Sequence, residues 1–243
     1  EKIQTVMPMP SNKETWADLQ IIFATRNGNV RRNQLNDFVN IRQNGKIAMK
    51  LHTDDELVSV LPCDKTDNIF LATRYGKAIR FDINDVRIFV GRDSSGVRGI
   101  KLKPNDYVVS MSLIPADEEK FVLSVTENGF GKRTVINDYR KTNRGGQGVA
   151  NIECSDRNGP VVASYIVASS DQIMLVTNAG KLIRIKVHEN ENNSIRVTGR
   201  KTQGVKLFDV DDNEKVMSVA LLAESEDDEV SNEDLDKENE DNS

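Results

Sequence analysis

Apolar runs along this chain are short, and polar segments interrupt them before a helical period can build up. Four runs end on one signal: "IIFATRNGNVRR" from residue 21, "IFLATRYGKAIR" from 69, "FVLSVTENGFGKR" from 121 and "IMLVTNAGKLIR" from 173. All contain Thr-x-x-Gly-x-x-x-Arg, filled by Thr25, Gly28 and Arg32; Thr73, Gly76 and Arg80; Thr126, Gly129 and Arg133; and Thr177, Gly180 and Arg184. Runs rich in Ile, Val and Phe favour extended backbone. A two-residue x-Gly turn, twice Asn-Gly, predicts a hairpin because glycine accepts positive φ.

A second glycine follows in each repeat and opens an apolar strand: Gly45 in "GKIAMKL", Gly96 in "GVRGIKL", Gly148 in "GVANI" and Gly204 in "GVKLF". Later still comes a short strand around a serine: "LVSVLP", "VVSMSL", "VASYIV" and "VMSVAL". The first glycines stand at 28, 76, 129 and 180, a period of 48 to 53 residues, which is the size of one four-stranded propeller-like blade. The expected fold is all-β, with four full repeats. The opening "EKIQTVMPMP" aligns with "DELVSVLPCD", so the end of a preceding, incomplete repeat is expected there, as in a piece of a larger protein.

Charge divides the chain in two. Residues 222–243 carry eleven acidic side chains and one lysine. The whole chain has 38 acidic and 33 basic groups, so the remainder holds 27 and 32, a net of +5. Residues 1–222 are expected to fold, whereas 223–243 form an acidic tail too polar to offset its chain entropy and are expected to be disordered. No run approaches the roughly 18–20 apolar residues of a membrane helix, and residues 1–20 lack a signal-peptide pattern, which points to the cytoplasm. Cys63 and Cys154, with only His52 and His188 beside them, make neither a disulfide framework nor a zinc site, and read as small core hydrophobes.

The candidate chemistry is basic. Arg31, Arg32, Arg42 and Lys46 fall in the first repeat; Arg74, Lys77, Arg80, Arg92 and Arg98 in the second; Lys132, Arg133, Arg140, Lys141 and Arg144 in the third; Lys181, Arg184, Arg200 and Lys201 in the fourth. If the repeats are arranged around an axis, equivalent positions form a rim and the charges a curved track; singly, each of these side chains could merely solvate a hairpin tip. The third repeat also holds "KTNRGGQGVANI", residues 141–152. Gly145 and Gly146 there would let the backbone approach a sugar-phosphate chain closely, or would simply form a flexible surface turn.

In combination, the hairpin repeats, the stretches "SSGVRGIKL", "NGFGKRT" and "GRKTQGVKL", and the acidic tail resemble the C-terminal DNA-wrapping domain of the bacterial DNA gyrase A protein. The resemblance runs from residue 1 to about 222. It implies a β-pinwheel, in which four-stranded antiparallel blades exchange strands with their neighbours and carry a basic outer rim. That family's signature box is Gln-Arg/Lys-Arg-Gly-Gly-Lys-Gly; Arg144, Gly145, Gly146 and Gly148 match it, whereas Thr142, Asn143 and Gln147 depart, as in a degenerate later copy. The resemblance further implies double-stranded DNA as partner, together with the rest of a dimeric gyrase A and with gyrase B in an A2B2 holoenzyme that supercoils DNA negatively at the expense of ATP, in the cytoplasm beside the nucleoid. The corresponding topoisomerase IV domain is the nearer alternative, and a protein-interaction scaffold the more distant one.

No catalytic motif accompanies the track. Walker, Gly-x-Ser-x-Gly and His-Glu-x-x-His patterns are absent, and "NGFGKRT" lacks phosphate-loop spacing. The expectation is a non-catalytic part of a type II topoisomerase, with no cofactor in this chain, ATP and magnesium belonging elsewhere in the holoenzyme. Recognition would be through phosphates, since no recognition helix or aromatic platform is evident.

Overall fold

Each Thr-x-x-Gly segment folds as a hairpin whose turn is closed from within. In the computed structural model, which describes residues 6, 7, 9, 11–40, 45–91, 93–115, 120–190, 194–211 and 213–222, the glycine N–H donates to the threonine carbonyl in all four repeats, at 2.9, 3.1, 3.1 and 3.0 Å. The turn glycines have φ between 75° and 82°. In the first three repeats the connection is three residues long, not two: the left-handed glycine follows two turn residues and forms the bulge that restores strand pairing; in the fourth, β-pairing resumes one residue later. The threonine hydroxyl adds a second bond, accepting from the N–H after the glycine at Asn29, Lys77 and Lys181.

In chain order the strands are β1 (Gln20–Thr25), β2 (Asn29–Gln34), β3 (Leu57–Cys63), β4 (Asn68–Thr73), β5 (Lys77–Asp82), β6 (Val97–Arg98), β7 (Val108–Ile114), β8 (Phe121–Thr126), β9 (Phe130–Val135), β10 (Val149–Ala150), β11 (Val161–Val167), β12 (Gln172–Thr177), β13 (Leu182–Lys186), β14 (Val205–Lys206) and β15 (Val216–Leu222). The described residues contain no α-helix, only short 3-10 turns such as Leu35–Phe38, Ile83–Asp85 and Ile136–Asp138. All strand pairs are antiparallel, and the sheets run β3-β1-β2-β6, β7-β4-β5-β10, β11-β8-β9-β14 and β15-β12-β13.

The expected exchange is present. The two-residue strands β6, β10 and β14 each leave their own repeat and complete the sheet of the one before. The serine-centred strands β3, β7, β11 and β15 lie innermost and pack against one another in that order. The exchanged strands are therefore at the outer perimeter. In the fourth sheet β13 is the edge among the described residues.

Because each blade lies between neighbours, its central strands are apolar on both faces. All six residues of β4 are buried, as are five of six in β1 and β8. One core joins the first and second blades through Ile22, Val30, Leu71 and Phe81; a second joins the second and third through Phe70, Val122 and Tyr139; a third joins the third and fourth through Leu123, Leu175 and Val216. Full burial of such a side chain contributes on the order of 1.5–3 kcal/mol. Cys63 is buried and Cys154 half-buried, and burial raises both thiols, to about 12 and about 11, so neither is poised to react. The expected closing strand in residues 1–10 and the acidic tail, 223–243, fall largely or wholly outside the described residues.

Candidate nucleic-acid interface

Burial separates the basic residues into two sets. Arg31, Arg32, Lys132 and Arg133 are 1%, 5%, 0% and 5% exposed, so they do not stand on a rim. They hold the following repeat. Arg31 donates to the carbonyls of Gly91 and Ser94 and to the Ser94 hydroxyl, while its guanidinium lies over Phe89. Lys132 Nζ donates to the Gly199 carbonyl at 2.6 Å. Arg32 reaches Asn84 Oδ1 at 3.3 Å, half-buried Arg80 the Ile136 carbonyl at 3.4 Å, and Arg133 the Ile195 carbonyl at 2.6 Å. The motif arginine thus ties one blade to the 3-10 turn or loop of the next. Burial lowers the pKa of Arg32, Arg80 and Arg133, yet an arginine remains charged.

Others are committed at the turn end of the hairpins. Arg74 pairs with Glu127 at 2.6 Å, Lys77 is half-buried, and Lys181 pairs with Asp211 at 2.7 Å and Glu214 at 2.8 Å. Arg184 is exposed on the edge strand, with Nε donating to Gln172 Oε1. Lys46 is half-buried and donates to the Asp37 carbonyl. Arg42 and Arg92 lie outside the described residues.

The remaining set gathers on the perimeter. Arg98 sits on β6; Arg140, Lys141 and Arg144 lead into β10; Arg200 and Lys201 lead into β14. Arg98, Arg140, Lys141 and Lys201 are exposed, Arg144 and Arg200 half-buried. Lys141 pairs with Asp82 at 3.0 Å, an exposed pair that salt and competing anions would readily open. Arg200 donates to the Ala150 carbonyl, which orients it toward the neighbouring repeat.

The glycine-rich loop is stitched to the preceding repeat. Gly145 N–H donates to the Gly99 carbonyl at 2.6 Å, the Gly146 carbonyl accepts from Lys101 N–H at 2.8 Å, and Arg144 donates to the carbonyls of Asp85 and Arg98. A Cβ at Gly148 would lie 2.3 Å from the Ala78 carbonyl oxygen. The glycines therefore permit close approach of protein to protein, and the Gly145 N–H is already used. What the loop offers outward is side-chain charge.

The periodicity exposes a position that the sequence reading passes over. Arg32 bridges in parallel to Ile88, Arg80 to Lys141 and Arg133 to Val197. The residue just before each bridge is an arginine, Arg87, Arg140 or Arg196, and all three are exposed. The buried residue before it, Val86, Tyr139 or Ile195, fixes the backbone, so the arginine faces away from the core. Arg87 and Arg196 could have been found by aligning "DVRI" with "DYRK" and "SIRV".

Acidic or amide side chains at the opposite, turn end were also missed. Asp55 accepts from Asn27 N–H and Asp106 from Tyr75 N–H, whereas Glu214 accepts from the Thr177 hydroxyl at 2.6 Å. Each precedes a serine-centred strand and pins the hairpin turn of its own repeat.

Comparison with known proteins agrees with this architecture. A family model described as "DNA gyrase C-terminal domain, beta-propeller" matches residues 20–64, 67–115, 120–167 and 171–223, one match per repeat. The DNA gyrase A protein of Rickettsia bellii is 40% identical over 274 aligned positions, covering 94% of this chain and 30% of the relative. That of Rickettsia prowazekii is 41% identical, covering 96% and 30%, and that of Staphylococcus epidermidis 38%, covering 93% and 25%. This chain thus spans about 30% or less of the length of these relatives. Among solved structures, the C-terminal domain of DNA topoisomerase IV superposes with a TM-score of 0.77 at 29% identity, covering 84% of this chain and 62% of that one. A DNA gyrase A C-terminal domain gives 0.75 at 27% identity, covering 87% and 68%.

Proposed function

Because this chain belongs to the DNA gyrase C-terminal domain family, we propose that it binds duplex DNA along its outer perimeter, without sequence preference, and bends it. The observation that carries this reading is the exposed arginine repeated at Arg87, Arg140 and Arg196, each set beside the bridge that joins one blade to the next. Spacing by blades places the charges along an arc, and Arg98, Lys141, Arg144, Arg200 and Lys201 fill the intervals. Bending 20–30 base pairs by 40–90° costs on the order of 1–6 kcal/mol, which phosphate contacts offset only when many act together. Gly145 and Gly146 support the track by seating Arg144, not by presenting N–H groups.

In the larger protein, this unit would be the DNA-wrapping part of gyrase A. It would act beside the rest of the gyrase A dimer and beside gyrase B, in an A2B2 assembly in the cytoplasm, close to the nucleoid. The strand-passage chemistry that introduces negative supercoils, with its ATP and magnesium, would lie in those other parts. The 0.77 TM-score to a topoisomerase IV domain favours a second reading, in which the same perimeter binds DNA without strong wrapping.

One titration separates these. A labelled linear duplex, long enough to follow the perimeter, is titrated at several salt concentrations while its end-to-end distance is monitored. Steep salt dependence with the ends drawn together supports bending. Binding at unchanged end-to-end distance supports the second reading. No binding at low salt sinks both and leaves a protein-interaction scaffold.

A further inference from the structure

The stretch that follows the second glycine is laid down the same way in successive repeats. Lys50 N–H donates to the Ser94 carbonyl at 3.3 Å, Lys101 N–H to the Gly146 carbonyl at 2.8 Å and Glu153 N–H to the Thr202 carbonyl at 3.0 Å. Each donor stands five residues after Gly45, Gly96 or Gly148, and each acceptor two residues before Gly96, Gly148 or Gly204. The three side chains therefore occupy one repeated position, and Asp209, five residues after Gly204, holds it in the fourth repeat. All four are exposed.

Charge at this position reverses along the chain. Lys50 and Lys101 are basic, Glu153 and Asp209 acidic; two residues on, the same trend runs from His52 and Lys103 to Ser155 and Asp211. In the fourth repeat Lys206 and Lys181 are engaged by these acids, with Asp209 at 2.5 Å and Asp211 at 2.7 Å. A second exposed position shows the opposite trend. It holds Arg87, Arg140 and Arg196, beside the bridges to Arg32, Arg80 and Arg133. In the first repeat it holds Val39, which follows Asn-Asp-Phe as Arg87 follows Asn-Asp-Val and packs half-buried against Trp16 and Phe38.

The two positions lie at different levels on one blade edge. On the first blade, Arg87 precedes the bridge to Arg32, whereas Lys101 follows Ile100, whose N–H donates to the Gly28 carbonyl at 3.2 Å. Four residues of extended chain lead from Gly28 to Arg32, about 13 Å at roughly 3.3 Å per residue. That exceeds the Debye length of about 8 Å at physiological ionic strength, so a phosphate feels chiefly the charge at its own level.

On the DNA-binding reading, on which this inference rests, a phosphate chain is drawn to the turn level in the first two repeats and repelled from it in the last two. We infer that the duplex crosses the perimeter obliquely, past Lys50, Lys101 and Lys103 near the hairpin turns and then past Arg140 and Arg196 at the bridges. Glu153, Asp209 and Asp211 exclude it from the turn side of the later repeats. The lysines at 50, 101 and 103 are thereby DNA contacts, and the three acids set the inclination of the path.

The test uses the 243-residue chain and a labelled linear duplex at low salt. An iron chelate that cleaves nearby DNA backbone is tethered through Lys101→Cys, Asp209→Cys or Val197→Cys. The unchanged chain, with Cys63 and Cys154, is treated alike to measure background. Lys101→Cys and Asp209→Cys each remove the charge invoked, so both work against the expected outcome: cleavage from positions 101 and 197, and at least tenfold weaker cleavage from position 209. In parallel, the slope of log K against log salt is measured for two combined variants. Lys50→Ala with Lys101→Ala and Lys103→Ala should lower it by up to about 2.7, whereas Glu153→Gln with Asp209→Asn should leave it as in the unchanged chain. Equal cleavage from positions 101 and 209 overturns the oblique path, since the duplex would then run level along the turns. Cleavage confined to position 197 also overturns it, placing the duplex level with the bridges, and so does an intact slope in the triple lysine variant. In each of these cases DNA binding itself stands. Failure to bind at low salt instead removes the DNA reading, and the oblique path with it.

Discussion

Lys132 Nζ donates to the carbonyl oxygen of Gly199 at 2.6 Å from a fully buried position, so a hairpin lysine of the third blade fixes the perimeter loop of the fourth repeat. Arg31 does the same for the carbonyls of Gly91 and Ser94. Cations at these positions act inside the protein, on backbone carbonyls, and the exposed perimeter charges depend on the loops they hold. Burial, with the nearby charge of Arg200 as a second cause, pushes the Lys132 ammonium down to about 8; Asp138 opposes them weakly.

That depression sets a pH dependence. The unfolded lysine keeps its proton to about pH 10.4, whereas the folded one gives it up from about pH 8. Between these values the unfolded state binds more protons, so stability contributed at this site rises with pH. Against Lys132→Met, which has no such proton, the unchanged chain is expected to gain up to about 3 kcal/mol between pH 8 and 10.4. Urea unfolding of both proteins at half-unit pH steps measures the difference. A flat difference would show that the folded lysine titrates normally.

The turn glycines offer a matched pair of substitutions. Alanine at Gly76 must adopt φ near +75° and also place its Cβ 2.0 Å from the Ile152 carbonyl oxygen, whereas alanine at Gly180 meets only the backbone strain. Gly180→Ala is expected to cost about 1 kcal/mol and Gly76→Ala at least about 3 kcal/mol. Equal losses by denaturant unfolding would mean that the seat between blades relaxes freely.

The four hairpins are legible in the sequence because Thr-x-x-Gly carries its geometry within a few residues: the glycine φ, the i to i+3 bond and the threonine hydroxyl are all local. Even so, the connection is one residue longer than Asn-Gly alone suggests. The exchange of β6, β10 and β14 enters the sequence reading only through family resemblance, because which hairpin a two-residue strand completes depends on partners far along the chain, as Val97 opposite Val30, Val149 opposite Ala78 and Val205 opposite Gly131 show. The direction of the motif arginines is illegible for another reason. Strands covered on both faces lose the polar and apolar alternation that marks a solvent side. Arg31 and Lys132 in their strands therefore look no different from Arg140 in its loop. Arg87 and Arg196 are hidden because each lies between two apolar residues, and only the bridge beside them shows that they face outward.

Glu214 governs the fourth hairpin. Its carboxylate accepts from the Asp211 backbone N–H, from Lys181 and from the Thr177 hydroxyl, which together hold its pKa down to about 2, with the backbone N–H the largest cause. The folded pKa lies below the usual glutamate value, so this contribution is fully present above about pH 4.5 and is lost as pH falls toward 2. In Glu214→Gln, the acid-dependent part of unfolding assigned to this site should disappear, and amide exchange at Gly180 and Lys181 should be faster at pH 7 while that at Gly76 is unchanged. Unchanged exchange at Gly180 would show that the turn holds without the carboxylate.

Buried and exposed arginines should separate cleanly in DNA binding. Among the described residues, Arg87, Arg140 and Arg196 donate no hydrogen bond that stitches one blade to the next, whereas Arg133 reaches the Ile195 carbonyl at 2.6 Å with 5% exposure. The triple variant Arg87→Ala, Arg140→Ala and Arg196→Ala is expected to keep the unfolding midpoint within about 0.5 kcal/mol of the unchanged chain. It should also lower the slope of log K against log salt by up to about 2.7, roughly 0.9 for each phosphate no longer neutralised. Arg133→Ala should do the reverse, costing about 2 kcal/mol of stability by leaving a buried carbonyl unpaired and a gap over Phe121, with the salt slope nearly intact in the fraction that remains folded. Both quantities come from one set of fluorescence titrations at four salt concentrations, paired with urea unfolding. If the triple variant binds with an unchanged slope, the phosphate track does not run past the bridges at 88, 141 and 197, and the perimeter reading fails at its central observation.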